Sequence, residues 1–340
     1  MTTATAKFSA DVLRIDAKRE VEKIATAIRE QVGRTLRRRG AVVGVSGGID
    51  SSVCAALCAK ALGPQQVFAV FMPEADSDPS SLRLGRELTE KFGIPSALED
   101  IRPILEAEGC YRRRDEFVRQ AVPEYGPGWK FKIVLPNATE GAAYNVFSVV
   151  TESPSGERKK VRLPLPAYLG IVATTNMKQR TRKQVEYYHA DRLNFAVCGT
   201  PNRLEYDQGF FVKNGDGAAD FKPIAHLYKT QVFALAEYLG VPEGIRRRTP
   251  TTDTYSLPQT QEEFYFALPH EKMDLCLYAF NHGVPAGQVG PVVGLTAAQV
   301  EHVYKDIESK RRTTWYQHAP PLLVEPVKEA GPSRFGRSTD

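Results

Sequence analysis

The sequence predicts an α/β protein: a doubly wound parallel sheet with flanking helices and a small antiparallel insertion. Three observations carry that prediction. Short apolar runs at Ala41–Val45, Gln66–Met72 and Asn194–Cys198 read as buried strands, with helical stretches between them. The first run ends in a glycine turn, Ser46-Gly47-Gly48, that opens a helix. Between Tyr125 and Leu165 the alternation breaks, and Gly126, Pro127, Gly128 and Pro136 punctuate strand-like runs instead.

In chain order, residues 1–16 are expected as a mobile arm. Ala17 to Arg39 reads as one amphipathic helix with Val21, Ile24, Ala25, Ile28 and Val32 on its apolar face. After the first strand and its glycine turn, Asp50-Ser51-Ser52 opens a helix that continues over Val53–Leu62. A strand at Gln66–Met72, a helix at Ser80–Phe92 and a short strand near Ser96–Leu98 complete a β-α-β-α-β unit. An insertion is expected at about residues 105–166, with strands at Lys130–Leu135, Asn145–Thr151 and Arg158–Leu163. The α/β pattern resumes with a helix at Ala167–Leu193, the strand Asn194–Cys198 and a helix at Lys229–Leu239. Further helices are expected at Gln261–Asn281 and Thr296–Arg311. Residues 17–312 then form a single domain, followed by a tail at 313–340 that is disordered from Gly331.

At 340 residues and a net charge of +5, the chain can bury one large core and is only mildly basic. Its positive charge sits in runs such as Arg37-Arg38-Arg39 and Arg246-Arg247-Arg248, without aromatic interleaving or a known RNA module, so nucleic-acid binding is not expected. The five cysteines are scattered, form no CxxC pair and imply no secreted disulfide framework. No signal peptide or apolar run of membrane-spanning length is evident, and a reduced cytoplasm fits.

The glycine turn carries the chemistry. A glycine-rich corner at a helix N-terminus presents unpaired N–H groups and partial positive charge to an anion, and the missing side chains admit a phosphate. No Gly-Lys-Ser/Thr follows, so this is not a Walker A loop. A second constellation, Cys198-Gly199-Thr200-Pro201-Asn202-Arg203-Leu204-Glu205, again sets glycine and hydroxyl after a buried strand. Glu205 lies where it could join Asp50 around a hard cation such as Mg²⁺. Lys213 to Pro223 is loop-like, Lys229 opens a helix, and Pro250-Thr251-Thr252-Asp253 is a polar turn. Each piece alone is ordinary; their order and spacing together are not.

Ser46-Gly47-Gly48-Ile49-Asp50-Ser51-Ser52 resembles the pyrophosphate loop of the N-type ATP pyrophosphatases. Joined to Gln179-Arg180-Thr181-Arg182, Gly199-Thr200-Pro201-Asn202, Glu205, Gly209 to Lys213, Gly215-Asp216-Gly217, Asp220 and Leu227-Tyr228-Lys229, it resembles the NAD+ synthetase family. The likeness runs over about Ala41–Leu98 and Asn176–Arg312 and implies an adenine nucleotide α-hydrolase-like fold. It implies that Gly44, Val45, Ser46, Gly47, Gly48, Ile49, Asp50, Ser51, Thr200, Lys229 and Thr251 contact ATP. Asp50 and Glu205 would hold Mg²⁺, and Arg180, Lys213, Asp220, Ser309 and Lys310 would hold deamido-NAD. Asp50, Glu205 and Lys229 are the first candidates for catalysis.

The family's reaction is adenylation of the deamido-NAD carboxylate followed by attack of ammonia, in a homodimer. Glutamine-using relatives carry an N-terminal amidase domain. Only about 40 residues precede the loop strand here, and no cysteine precedes Asp50. Ammonia is therefore the expected donor, with a separate amidase as one source. Two residues depart from the family pattern: Gln261 stands where a carboxylate is usual, and Ser309 where a histidine is usual beside Lys310. They leave room for a paralogue that amidates another carboxylate. A non-catalytic nucleotide-binding protein is the alternative from another class, and the pairing of Asp50 with Glu205 counts against it.

Overall fold

The computed structural model describes residues 8–134, 147–251, 254–266 and 268–327. The stretch expected as an arm is pinned from its eighth residue. Ser9 caps a 3-10 turn, Ala10–Leu13, and Phe8 and Leu13 are buried; residues 1–7 lie outside the described range. Asp16 caps α1 (Ala17–Arg29), accepting the Arg19 N–H at 3.0 Å. The helix expected to reach Arg39 instead widens into a π-turn at Glu30–Thr35, which contains Gly33, and Arg37 has a φ of +52°.

β1 (Ala41–Gly44) leads to α2 (Ile49–Leu62), which is apolar on nearly every side because it is enclosed. β2 (Val67–Phe71), α3 (Pro79–Phe92, capped by Asp78) and β3 (Ser96–Leu98) follow. Two short helices that the sequence pattern did not announce come next, α4 (Arg102–Ala107) and α5 (Cys110–Arg119). The insertion holds β4 (Lys130–Val134), β5 (Ser148–Glu152) and β6 (Arg158–Arg162). Pro136 and the Asn145 start of the expected second strand lie outside the described residues.

α6 (Leu165–Leu193) ends on Asn194, which takes a left-handed turn (φ +56°) before β7 (Ala196–Cys198). α7 (Arg203–Gln208), α8 (Lys229–Leu239) and α9 (Glu243–Arg246) follow. The helix expected over Gln261–Asn281 is split into a π-turn at Glu262–Phe266 and α10 (His270–Asn281), because Pro269 sits at the join. α11 (Ala286–Val293) precedes α12 (Ala297–His318), so residues 313–318, expected in the tail, are helical. The tail from Gly331 lies outside the described residues.

The parallel sheet has the order β3-β2-β1-β7, with Val43 opposite both Ala69 and Cys198. Period-2 alternation splits the core into two layers. Ala41, Val43, Ala69, Phe71, Ala196 and Cys198 face the cluster built with α1, α2 and α8. Val42, Val70 and Val197 face Ile101, Leu105 and Ala190 on the other side. Leu57, fully buried on α2, illustrates the stakes: truncation of such a leucine to alanine costs about 2–5 kcal/mol. The antiparallel sheet, β4-β5-β6, has its own core of Phe131, Ile133 and Val149 packed with Ile171 of α6. No helix among the described residues is long and apolar enough to cross a membrane.

Candidate active site

The corner between β1 and α2 is held by its own hydroxyls. Ser51 Oγ accepts the Ser46 N–H at 3.2 Å, and Ser46 Oγ accepts the Gly48 N–H at 3.3 Å. Ser52 Oγ donates to the Gly48 carbonyl at 2.8 Å. Gly47 takes φ +71° and passes so close to Ser81 of α3 that a Cβ there would collide with its carbonyl. Gly48, at the N-cap, offers no side-chain acceptor, so the first turn of α2 keeps its anion-binding capacity.

Two elements, α8 and α7, converge on Asp50 in that first turn. Lys229, the first residue of α8 and 2% exposed, forms an ion pair with Asp50 Oδ2. Asn202, the N-cap of α7, donates from Nδ2 to Asp50 Oδ1 at 3.1 Å. Its N–H donates to Glu205 Oε2 at 3.1 Å, closing a capping box. Gln261 donates from Nε2 to Glu205 Oε1 at 3.0 Å. Burial and the charge of Asp50 push the Glu205 carboxyl up to about 8. Burial works to lower the Lys229 ammonium, but Asp50 and Glu205 outweigh it and hold it above its ordinary value. Asp274 of α10 supports the lysine from behind, accepting the Lys229 and Thr230 N–H groups at 3.2 and 2.7 Å.

These groups open onto a cavity of about 460 Å³. Gly44, Val45, Ser46, Gly48, Ile49, Asp50, Ser51, Thr200, Glu205, Lys229 and Thr251 line it; Gly47 shapes the turn without lining the cavity. Thr252 and Asp253 lie outside the described residues. Several lining groups were not singled out from the sequence. Arg248, part of the basic run Arg246-Arg247-Arg248, reaches Ser81 Oγ at 3.0 Å and Asp78 at 3.2 Å beside the glycine turn. Arg182 donates to the Met72 carbonyl at 3.3 Å. Glu186 pairs with Lys183 at 2.6 Å, and burial raises its carboxyl and that of Asp216. The only signal in the sequence for Arg182 and Asp216 was their place among the quoted motif pieces. Nothing local marks Glu186 or Arg248.

The residues expected to hold the acceptor are not gathered in this cavity. Arg180 is exposed and donates to the Lys213 carbonyl at 3.2 Å. Lys213 Nζ donates to the carbonyls of Tyr316 and Ala319, at 2.8 and 3.0 Å, at the end of α12. Asp220 Oδ2 accepts the Val197 N–H at 2.7 Å. Lys310 pairs with Asp306 at 2.6 Å and donates to the Tyr265 carbonyl at 2.7 Å. The Ser309 carbonyl accepts from Thr313 Oγ1 at 3.0 Å.

For a divalent cation the donor set is two hard carboxylates, Asp50 and Glu205, at the edge of a phosphate-type loop. Burial, with the neighbouring Asp50 charge, raises the Glu205 carboxyl, and a cation held between the two would favour its charged form. No group of three or more His, Cys, Asp or Glu residues suited to a metal occurs among the described residues. Such an ion would complete its shell with phosphate oxygens and water.

The geometry has parallels in known proteins. The NAD synthase family model matches residues 20–121 and 166–314, leaving 122–165 between the matched segments. An NH(3)-dependent NAD(+) synthetase from Rhizobium meliloti (strain 1021) is 63% identical over 322 residues, covering 95% of this chain and 96% of that protein. Among solved structures, NMN synthetase from Francisella tularensis superposes with a TM-score of 0.61 at 22% identity, over 92% of this chain and 100% of that one. The NH3-dependent NAD synthetase from Campylobacter jejuni gives 0.59 at 23% identity, again over 92% and 100%. At those identities the two structures attest the fold; the family match and the rhizobial relative go further, and by them this chain belongs to the NAD synthase family.

Proposed function

We infer that the chain is an ammonia-dependent NAD+ synthetase, a ligase that uses ATP to convert the carboxylate of deamido-NAD to an amide. The observation that carries this is the convergence of Asp50, Glu205 and Lys229 on the Ser46–Ser51 loop, in a chain so close to the rhizobial enzyme.

In this reading the pyrophosphate end of ATP lies on the loop and the first turn of α2. A substrate carboxylate oxygen attacks the α-phosphorus, the bond to the bridging oxygen breaks, and pyrophosphate leaves. Ammonia then attacks the acyl carbon of the adenylate, AMP departs with the carboxylate-derived oxygen, and the nitrogen loses a proton. A carboxylate is a poor acyl donor, and adenylation gives it a good leaving group. The protein needs no covalent nucleophile. Lys229 offers a fixed positive charge toward the phosphates, and Thr200 and Thr251 offer hydroxyls from the cavity wall. Asp50 and Glu205 would hold Mg²⁺, which when bound neutralises phosphate charge.

Arg180, Lys213, Asp220, Ser309 and Lys310 are assigned to deamido-NAD by resemblance. Their position outside the cavity suits an acceptor site shared between the subunits of a homodimer. Ammonia reaches the chain free or from a separate amidase. Five buried free thiols suit a reducing cytoplasm. The test is a substrate panel: ATP, Mg²⁺ and ammonium with deamido-NAD, scored for NAD+, AMP and pyrophosphate. Equal yields of the three support the reading. AMP release triggered by another carboxylate, with no NAD+ from deamido-NAD, replaces it with the paralogue.

A further inference from the structure

The stretch 122–165, which the family model passes over, does more than decorate the surface. Its strand β4 is covered on one edge by β5 and on the other by a hairpin that leads back to the cavity. That hairpin has its base at Thr251 and Thr260, which form an isolated antiparallel bridge, and the Gln261 N–H donates to the Pro250 carbonyl at 3.3 Å. Thr251 and Gln261 both line the cavity, and Gln261 holds Glu205.

The tip of the hairpin is seated on the inserted sheet. The Phe131 N–H donates to Ser256 Oγ at 2.9 Å, and the Phe131 carbonyl accepts the Leu257 N–H at 3.1 Å. Gln259 donates from Nε2 to the Ile133 carbonyl. Lys132 Nζ donates to the Pro258 carbonyl at 3.1 Å. Tyr255, buried, meets the Phe131 ring edge-on at 5.4 Å between centroids. From the other side, Lys178 of α6 donates to the Thr254 carbonyl at 3.0 Å while paired with Glu74 and Asp76.

We propose that the β4-β5-β6 sheet is a brace that orders residues 254–261 beside the cavity before any ligand arrives, with Ser256 and Gln259 as its positioning residues. A segment of this length, closed by one bridge, is costly to order alone. A hairpin already seated on β4 leaves less ordering entropy to be offset when a nucleotide binds. The kinetic consequence rests on the reading that ATP occupies this cavity; the ordering itself does not.

Amide hydrogen exchange on the full chain without nucleotide tests the ordering directly. In the wild type, the Leu257 and Gln261 amides, whose N–H groups donate to the Phe131 and Pro250 carbonyls, should be protected to the same order as those of β4. In S256A/Q259L the protection of the Leu257 amide should fall at least about tenfold while β1 and α2 are unchanged, and ATP should restore it. The KM for ATP should rise on the order of tenfold, as expected for two lost hydrogen bonds, with kcat changed less than about twofold. Wild-type exchange at the unprotected rate overturns the proposal, as does a double variant in which neither exchange nor KM moves. If the double variant also loses protection in β1 and α2, S256A alone carries the kinetic comparison and the wild-type exchange still decides. If exchange behaves as stated but the wild type shows no ATP-dependent turnover, it is the functional reading that fails and the brace that stands.

Discussion

At the scale of single residues, Asp50 and Glu205 are the sharpest handles. Each sits in the first turn of a short or buried helix and accepts from Asn202, so neither is part of the apolar core. Replacing either by alanine should leave the far-UV circular dichroism intact and remove most adenylation, measured as pyrophosphate release from ATP. The magnesium requirement should rise in both variants. Near-normal turnover at ordinary magnesium in both would remove the metal assignment. Lys213 should behave differently. It is tied to the end of α12 and lies outside the cavity, so Lys213→Ala should raise the KM for deamido-NAD far more than the KM for ATP. Equal effects on both would make it a general structural residue. Glu205 was readable from its place after a buried strand. Its lock on Gln261, 56 positions away along the chain, was not.

At the scale of elements, the two helix starts that face the cavity carry their own tests. Asp274 caps α8, and burial pushes its carboxyl up to about 7 against the two backbone N–H bonds that favour its charge. A carboxyl raised from its unfolded value stabilises the fold fully only below that unfolded value, and the contribution is lost as pH rises toward 7. The wild type should therefore gain melting temperature relative to Asp274→Asn as pH falls from 7 to 5, by on the order of 2–4 °C. Paired melts across that range check it; a constant difference means the carboxyl does not titrate there. Gly47→Ala should disable the loop at the start of α2, because φ +71° strains alanine and its Cβ meets the Ser81 backbone. ATP turnover should drop by at least about tenfold, since the strain alone costs about 1–2 kcal/mol. The helices that the sequence misjudged fail for local reasons. Gly33 sits where α1 widens into its π-turn, and Pro269 separates the π-turn from α10. In both places an apolar periodicity ran on past a break in the backbone.

At the level of the assembled protein, the nitrogen source and the oligomeric state each carry a test. Relatives named as NH(3)-dependent cover nearly the full chain, so ammonium salts should support NAD+ formation and ammonia-free glutamine alone should not. Robust synthesis from glutamine by the pure chain would refute this. A homodimer should appear in sedimentation equilibrium as a particle of twice the chain mass; a strict monomer with full activity would rule out an acceptor site shared between subunits.

The parallel α/β unit, the glycine corner at Ser46–Ser51, the three inserted strands and the candidate carboxylates Asp50 and Glu205 were legible from the amino-acid order alone. These are written in short windows: alternation along a strand, a turn chemistry, an acid in a helix's first turn. The pairing of Lys229 with Asp50, the reach of Arg248 and Glu186 into the same cavity, and the seating of residues 254–261 on the inserted sheet emerge only from the folded chain. Each of those depends on residues tens to nearly two hundred positions apart being brought together by core packing. No local window holds that information, because the contact energies that select it are made only once the layers have closed.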